Sequence, residues 1–201
     1  MSLAVSLLAV SLAAPEPPDL RFEAWFEERE VAVSIARVSE GPPWLRAVAE
    51  IPAPAERVFE VLTRYDGYRE FFGPAVAEAA VLESSGLSAR IHFVWRYPFP
   101  FRNRDGIVAY RGERRDDGSF LLSYRDAAAP GDPKSGVRIQ RIAGEARIEP
   151  LGPDRCRVTY TYFGDLGGSF PKAAEEKAWR RQPVAYILAI RRELGLPIPA
   201  P

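Results

Sequence analysis

The feature that most constrains the fold of this chain is a succession of strand patterns that leads into one long amphipathic segment. Six stretches have alternating or continuous apolar residues typical of strands, at 76–83, 88–97, 106–114, 120–125, 137–148 and 157–163. Short turns join most of these stretches, which predicts an antiparallel meander. Residues 171–194 then repeat apolar side chains at helical spacing, and Pro183 is expected to kink this helix.

The N-terminal part predicts elements of both types. Residues 20–30 mix aromatic and acidic side chains at helix-like spacing and predict a short amphipathic helix. Residues 31–38 and 44–51 predict a hairpin, a helix is expected at 53–62, and a shorter helical turn follows at 65–72. The long last helix must bury its apolar face, and the concave side of a curved sheet is the available surface. The sequence therefore predicts an α+β helix-grip fold, with a curved antiparallel sheet wrapped around the C-terminal helix and an internal hydrophobic cavity.

Composition limits the kinds of partner and site. The 201 residues suit one domain, and a hydrophobic fraction of 47% is enough for a large core or a cavity wall. The 27 basic and 27 acidic residues cancel and are interspersed, so no nucleic acid partner is expected. The lone cysteine, Cys156, excludes an intrachain disulfide and is interpreted as a half-buried structural thiol. The lone histidine, His92, is out of phase with Ile91 and Phe93 and is expected at the surface.

The first residues have the pattern of a secretory signal. Residues 1–14 carry no charge, contain an apolar run too short to span a membrane, and end in small residues. We interpret them as an export signal, the alternative being a short hydrophobic helix. The expected organisation is a signal at 1–14, an extension with the short helix at 15–28, one domain at 29–195 and a tail at 196–201. Export predicts a periplasmic or secreted protein, and the alternative is a cytoplasmic one.

Several motifs in a consistent order carry a resemblance to a known family. The most specific is WRYPFPFRNRD at 95–105, and SGVR at 135–138, IEP at 148–150 and TYTYFGDLGGSFP at 159–171 add to it. From about residue 29 to residue 194, the chain resembles the START lipid-transfer family. That family is a branch of the helix-grip superfamily that also holds birch-pollen-allergen-like proteins and polyketide cyclases. The resemblance implies a hydrophobic tunnel for a single lipid, with a lid made by the C-terminal helix and adjacent loops.

Three arginines are candidates for ligand contact or for structural roles. In the family's phosphatidylcholine-binding members, an arginine of the short helical segment contacts the lipid phosphate in the bidentate manner of guanidinium groups, and Arg69 lies at the matching position. The alternative is an exposed helix arginine. The accompanying acidic residue corresponds here to Gly73, so the resemblance does not extend to choline recognition. Arg138 is a candidate cavity arginine or, as we favour, half of an ion pair with a residue such as Asp105, because buried charges are costly unless paired. Arg104 and Asp105 are expected to brace their turn, and the alternative is contact with the ligand.

Aromatic side chains with polar tips form the predicted cavity wall, because they suit a pocket that is apolar with a few hydrogen-bonding groups. For any one of them, ordinary core packing is the alternative. The set is Trp95, Tyr97, Tyr110, Tyr124, Tyr160 and Tyr162. The glycine pair at 167–168 is expected to be either a hinge for the last helix or a tight connection.

The predicted function is binding, and possibly transfer, of a phospholipid, sterol or similar hydrophobic ligand, without a cofactor. No nucleophile, metal-ligand cluster or phosphate-binding glycine loop stands out, so the chain is interpreted as non-enzymatic. The alternative is an enzyme like the polyketide cyclases and aromatases that uses the same cavity, and a ligand sensor would share the same pocket. Transient membrane contact and a monomeric state are expected.

Overall fold

The computed structural model describes residues 20–139, 141–165 and 172–200. The predicted export signal at 1–14 and the glycine pair at 167–168 lie outside the described residues.

The described strands form one sheet, antiparallel except for one short pairing. They are β1 (Glu23–Glu28), β2 (Val31–Ala36), β3 (Trp44–Ile51), β4 (Val76–Ser85), β5 (Ser88–Trp95), β6 (Arg104–Arg114), β7 (Phe120–Asp126), β8 (Val137–Arg138), β9 (Ile142–Gly152) and β10 (Arg155–Gly164). Their order is β1-β2-β3-β10-β9-β7-β6-β5-β4, and β8 pairs in parallel with β6. The predicted meander is confirmed. The pairing of β3 with β10 additionally joins the first part of the chain to the last part.

Three α-helices cover the inner face of this sheet in the described part of the chain. They are α1 (Ala55–Thr63), α2 (Tyr68–Phe72) and α3 (Lys172–Glu193), and Pro183 lies inside α3. Helix α1 packs on β7 and β9, with the Phe59 ring stacked on Phe120 at 4.8 Å between centroids. Helix α3 contacts β2, β3 and both other helices. The predicted α+β helix-grip arrangement is therefore confirmed.

The predicted short helix at 20–30 is wrong, because this segment contains strand β1. Arg29 and Glu30 have φ angles of 53° and 60°, and Glu28 pairs with Val31 across them. Two consecutive residues with positive φ are typical of a tight hairpin turn, whose twist matches that of the flanking strands. This turn folds β1 back onto β2.

A shift of register explains why β1 has helix-like spacing. The pairing with β2 slips between Ala24 and Phe26, as at a β-bulge. Both Trp25 and Phe26 then reach the guanidinium of Arg180 on α3, at 5.0 and 4.5 Å from the ring centroids. Two consecutive aromatic residues thus face the same helix, which the alternation of a regular strand would not allow.

The predicted strand at 137–148 is two separate strands, β8 and β9. Residues 137 and 139 run parallel to the start of β6, with the Val137 N–H donating to the Asn103 carbonyl at 3.0 Å and the Ile139 N–H to the Asp105 carbonyl at 2.8 Å. The chain then crosses to β9, which pairs with β7 and β10. Two consecutive polar residues, Gln140 and Arg141, interrupt the alternation of Val137 and Ile139 at this change of partner, and they were the available signal for it.

The outer face of the sheet is also partly covered. A small cluster packs there around Ala36, Trp44 and Ala143, with the Phe163 ring 5.0 Å from that of Trp44. Farther along the sheet, the loop that follows β7 is tied to β5 by an ion pair at 2.6 Å between Arg90 and Asp132. These contacts leave the inner face to the helices.

Gly144 on β9 gives a test of how closely β9 packs against its neighbours. A Cβ at this position would lie 2.4 Å from the Tyr124 hydroxyl and 2.5 Å from the Thr161 carbonyl oxygen, whereas one at Gly152 of the same strand would meet nothing within 4 Å. We expect Gly144→Ala to lower the free energy of unfolding by about 2–3 kcal/mol through overpacking. Urea denaturation measures this, with Gly152→Ala as the matched control. Equal effects of the two substitutions would contradict the packing described.

Candidate ligand-binding site

The inner face of the sheet and the helices opposite it carry an unusual concentration of tyrosine. Alternation along β6, β7 and β10 turns the tyrosines of these strands toward the helices. Helices α2 and α3 add one tyrosine each, and the short helical turn between α1 and α2 adds a third. Each of the seven is at most 7% exposed. They are Tyr65, Tyr68, Tyr110, Tyr124, Tyr160, Tyr162 and Tyr186.

Some of these hydroxyl groups are hydrogen-bonded to the protein. The Tyr65 hydroxyl donates to the Leu87 carbonyl at 2.6 Å, and the Tyr162 hydroxyl donates to the Trp179 carbonyl at 3.3 Å. The Tyr68 hydroxyl donates to the Leu62 carbonyl.

One internal hydrogen-bond cluster links β7, β10 and α3. The Tyr124 and Tyr160 hydroxyl oxygens are 2.8 Å apart, and Gln182 Nε2 donates to the Tyr160 oxygen at 2.9 Å. By contrast, the hydroxyls of Tyr110 and Tyr186 have no hydrogen-bond partner among the described residues. An apolar interior with a few such polar groups is the usual composition of a small-molecule site.

The acid–base chemistry of this interior lies far from neutral pH. Burial raises the pKa of Tyr110, Tyr124 and Tyr186 well above the ordinary value. For Tyr160, burial raises the pKa to about 12, although the hydrogen bonds from Tyr124 and Gln182 act in the opposite direction. These hydroxyls are neutral at pH 7 and serve as hydrogen-bonding groups rather than as general bases.

The structure brings together most of the residues proposed from the sequence as a cavity wall. Tyr110, Tyr124, Tyr160 and Tyr162 belong to one buried cluster. Their rings follow one another, with 5.4 Å between the centroids of Tyr110 and Tyr124, 6.3 Å between Tyr124 and Tyr160, and 5.1 Å between Tyr160 and Tyr162.

Trp95 and Tyr97 lie near the end of β5, at the margin of this cluster. Trp95 is partly buried, stacks on Phe93 at 5.3 Å between centroids, and covers Gly106, where a Cβ would lie 3.1 Å from its ring. Tyr97 is half-buried, and the guanidinium of Arg104 lies 5.2 Å from its ring centroid.

The two arginines predicted to contact a ligand, Arg69 and Arg138, lie outside this tyrosine cluster. The Arg69 side chain is 56% exposed, pairs with Glu70 at 3.3 Å and donates to the Ala77 carbonyl at 3.4 Å. The short helix α2 directs Tyr68 and Phe71 inward, which leaves Arg69 on its outer side. This placement does not support the phosphate-binding role inferred from the resemblance, and that role stays a prediction.

Arg138 belongs to a buried ionic cluster on the outer face of the sheet. Its guanidinium lies 2.6 Å from Asp105 Oδ2, which also accepts the Ser135 N–H at 3.2 Å and lies 3.3 Å from His92 Nε2. The favoured ion pair of Arg138 with Asp105 is thus observed. The expectation of a surface histidine is wrong, because His92 is only 2% exposed. The His92 side chain does point away from the inner face, but the segment that carries Ser135 and Arg138 covers it on the outer face.

Hydrogen bonding decides the protonation state of Asp105. Burial alone would raise its pKa, but the hydrogen bonds from Arg138, the Ser135 N–H and His92 outweigh burial, so the pKa is lowered from 3.8. The carboxylate is therefore charged at neutral pH and holds β5, β6 and β8 together.

Arg104 is a residue whose place the sequence reasoning missed. The sequence predicts that it braces the turn, with ligand contact as the alternative, and its Nη1 does donate to the Arg102 carbonyl at 2.6 Å. Yet Arg104 pairs with Trp95 across the sheet and therefore shares the inner face, where it is only 4% exposed. Arg104 and Tyr110 are separated by an even number of positions along β6, and this spacing already indicated that they face the same side of the sheet.

The remaining residues of chemical interest are structural. Cys156 is fully buried in the core, and burial raises the pKa of its thiol to about 12, which makes it unreactive at neutral pH. Within residues 20–139, 141–165 and 172–200, no group of three or more His, Cys, Asp or Glu side chains is placed to hold a metal ion.

Comparison with known proteins identifies the family. A family model described as "Polyketide cyclase / dehydrase and lipid transport" matches residues 44–187. The chain belongs to this family, and the resemblance to START proteins inferred from its motifs is confirmed. It is also 27% identical over 160 residues to Rho GTPase-activating protein 7 of Rattus norvegicus. The aligned region covers 76% of this chain but only 14% of that protein. The chain thus spans a small part of this curated relative.

Solved structures show the same fold. A STAR-related lipid transfer protein from Xanthomonas axonopodis superposes with a TM-score of 0.77 and 23% identity, covering 86% of this chain and 98% of that one. The Zhui aromatase/cyclase from Streptomyces sp. R1128 superposes with a TM-score of 0.57 and 19% identity, covering 75% and 92%. The fold is therefore common to a protein named for lipid transfer and to one named for catalysis.

The buried ionic cluster gives a test of what holds the outer face together. We expect Asp105→Asn to lower the free energy of unfolding by about 3 kcal/mol, because it leaves the buried groups of Arg138 and His92 without their carboxylate. The matched control is Glu56→Gln, which makes the same chemical change in an exposed pair whose Glu56 and Arg114 atoms are also 2.6 Å apart. That exposed pair is expected to contribute about 0.5 kcal/mol or less.

The same comparison has an expected pH dependence. The pKa of Asp105 is lowered on folding from its ordinary value of 3.8. The charged carboxylate therefore adds to the free energy of unfolding above pH 3.8, and this stabilisation is lost as the pH falls through the pKa of the folded state. The difference in unfolding free energy between the wild type and Asp105→Asn should therefore shrink at acid pH. A difference that stays constant between pH 7 and pH 3 would contradict the assignment.

Proposed function

We propose that this protein binds one hydrophobic ligand between α3 and the tyrosine-lined inner face of the sheet, and transfers it between membranes. The observation that carries the proposal is the interior itself, where buried aromatic rings surround hydroxyl groups that the described residues leave unpaired. An apolar wall supplies most of the binding free energy, and a few polar groups orient the ligand. The similarity to a structure named as a lipid transfer protein agrees with this function.

Catalysis by the same interior is the second candidate, favoured by the similarity to an aromatase/cyclase. General acid–base catalysis is most effective with groups whose pKa lies near the working pH. The tyrosines of this interior have pKa values raised by burial, and His92 and Asp105 lie on the opposite face of the sheet. Ligand binding without chemical conversion is therefore the function that the described side chains support better.

Transfer requires contact with a membrane, and the loop between β5 and β6 is suited to it. Phe99 is 96% exposed at this loop, between two exposed prolines, and Arg96 and Arg102 flank it at the surface. An exposed aromatic group beside cations favours the interface of an anionic bilayer. None of the helices in the described ranges has the length and apolar character needed to cross a membrane.

The ligand position can be measured by bromine quenching of single-tryptophan variants. One variant keeps Trp95, on the inner face, and the other keeps Trp44, which lies in the outer-face cluster. With 9,10-dibromostearic acid as the probe, we expect strong quenching of Trp95 and little quenching of Trp44, because bromine acts only at short range. Equal quenching of both, or no saturable quenching of either, would overturn the proposed position.

Transfer itself is measured with a fluorescent phospholipid moved between donor and acceptor vesicles, beside native mass spectrometry of the purified protein. Arg69→Ala belongs in the same assay, because the exposed Arg69 side chain makes its contacts outside the interior. A selective loss of phospholipid transfer would support the phosphate role inferred from the resemblance, and transfer like that of the wild type would contradict it. If no apolar molecule co-purifies or exchanges and no lipid moves, the proposed function is wrong.

The membrane contact is tested by Phe99→Ala in a sedimentation assay with phosphatidylserine-containing vesicles. We expect roughly tenfold weaker binding, because the lost ring no longer enters the apolar part of the bilayer. Val81→Ala is the control, since Val81 is 37% exposed on edge strand β4, away from this loop. Equal binding by both variants would show that the loop does not meet the membrane.

A further inference from the structure

We propose that the first half of α3, residues 172–182, opens away from the sheet about Pro183, and that the Tyr162 hydroxyl is the positioning group that holds it closed. The second half, residues 184–193, is the fixed anchor of the helix. The use of this opening as an entrance for the ligand rests on the proposed function. The hinge itself follows from the contacts of the helix.

Pro183 interrupts the hydrogen bonding of α3 at one peptide group. In an α-helix the carbonyl of each residue accepts the N–H of the residue four positions later. Residue 183 is a proline inside the helix and has no N–H, so the Trp179 carbonyl lacks its helical donor. The ring of such a proline also presses against the same carbonyl. The helix therefore bends most easily between residues 179 and 183.

The Tyr162 hydroxyl on β10 replaces the missing donor. It donates to the Trp179 carbonyl at 3.3 Å, and the direction of this hydrogen bond is fixed because a carbonyl oxygen can only accept. A bond between strand and helix thus takes the place of a bond within the helix. The Trp179 carbonyl has this partner only while the first half of α3 lies against β10.

The two halves of α3 are buried to different extents. In the second half, the side chains of Ile187 and Ile190 are fully buried. Residues 175–182 of the first half are all half-buried or exposed, and Trp179 packs only partly against the core. The hydrophobic contribution scales with the apolar area removed from water. Opening the first half therefore costs much less free energy than opening the second.

Polar contacts add to this difference. In the second half, Arg191 Nη2 lies 2.8 Å from Glu30 Oε2, and Arg192 donates to the Phe71 carbonyl at 2.5 Å. These contacts tie the end of α3 to the β1–β2 turn and to α2. The contacts that hold the first half to β10 are the hydrogen bond of Tyr162 and the one between Gln182 and Tyr160 at 2.9 Å, both close to the hinge.

Hydrogen–deuterium exchange of the full-length protein, read by mass spectrometry, measures the opening of each half separately. We expect the amides of residues 176–182 to exchange at least about tenfold faster than those of residues 185–190, because a less buried unit opens at lower free energy. Tyr162→Phe keeps the ring and removes the hydroxyl. It should speed exchange of the first half by roughly threefold to tenfold, as for one hydrogen bond, and leave the second half unchanged.

Two further variants assign this effect. Tyr65→Phe is the matched control, because the Tyr65 hydroxyl also donates to a backbone carbonyl, that of Leu87, and its loss should leave exchange of the first half unchanged relative to the second. Pro183→Ala returns the missing N–H to the helix and should slow exchange of the first half relative to the second. In that background Tyr162→Phe should have little effect, since the Trp179 carbonyl then has a partner within the helix.

The entrance is tested by stopped-flow uptake of the neutral dye N-phenyl-1-naphthylamine. Pro183→Ala should slow the association rate by roughly threefold or more, because the first half then opens less often. An unchanged association rate would show that the ligand does not enter by this opening.

The outcomes separate this inference from the proposed function. The hinge is overturned by equal exchange in the two halves of α3, by equal effects of Tyr162→Phe and Tyr65→Phe, or by an effect of Tyr162→Phe that persists in the Pro183→Ala background. If the dye binds to neither the wild type nor the variants, the proposed function is wrong, whereas the exchange measurements still decide the hinge.

Discussion

The pairing of β3 with β10 is the contact on which the rest of this molecule depends. It joins strands from the two ends of the domain and turns two separate sets of strands into one continuous sheet. Its register sets Tyr160 opposite Ala47, a small side chain that leaves space for the Tyr186 ring to stack on Tyr160. Helix α3 is anchored at the same strand, since Arg191 donates to the Glu50 carbonyl at 3.2 Å. The sheet and the helix that closes it are thus fixed by one strand.

The interior built on this pairing balances stability against binding. Large aromatic side chains supply apolar burial, while their hydroxyl groups are costly to bury without partners. The protein pairs some of them internally, as with Tyr65 and Tyr162, and leaves those of Tyr110 and Tyr186 without a partner in the described residues. The proposed function assigns these two hydroxyl groups to contact with a ligand.

The outer face explains the role of the WRYPFPFRNRD motif. Its final Asp105 holds β5, β6 and β8 together by accepting hydrogen bonds from Arg138 and the Ser135 N–H. The other residues of the motif point in different directions, with Arg104 buried on the inner face and Phe99 at the surface. One short stretch thus contributes to the scaffold, to the margin of the interior and to the proposed membrane contact. A motif typical of a family can therefore contain many constrained residues without forming a single binding site.

The sequence by itself determined the strands of the meander, the long last helix and the helix-grip class, because these follow from local apolar periodicity. It also determined that Tyr160 and Tyr162 face the same side, since alternation along a strand is a local property. It erred at β1, where a bulge imitates helical spacing, and at 137–148, where the polar pair at 140–141 separates two strands with different partners. Only the tertiary structure decided that Arg69 lies outside, that His92 is covered, and that Gln182 meets Tyr160. Those outcomes depend on which distant segment packs against each residue, and periodicity along the chain carries no information about that.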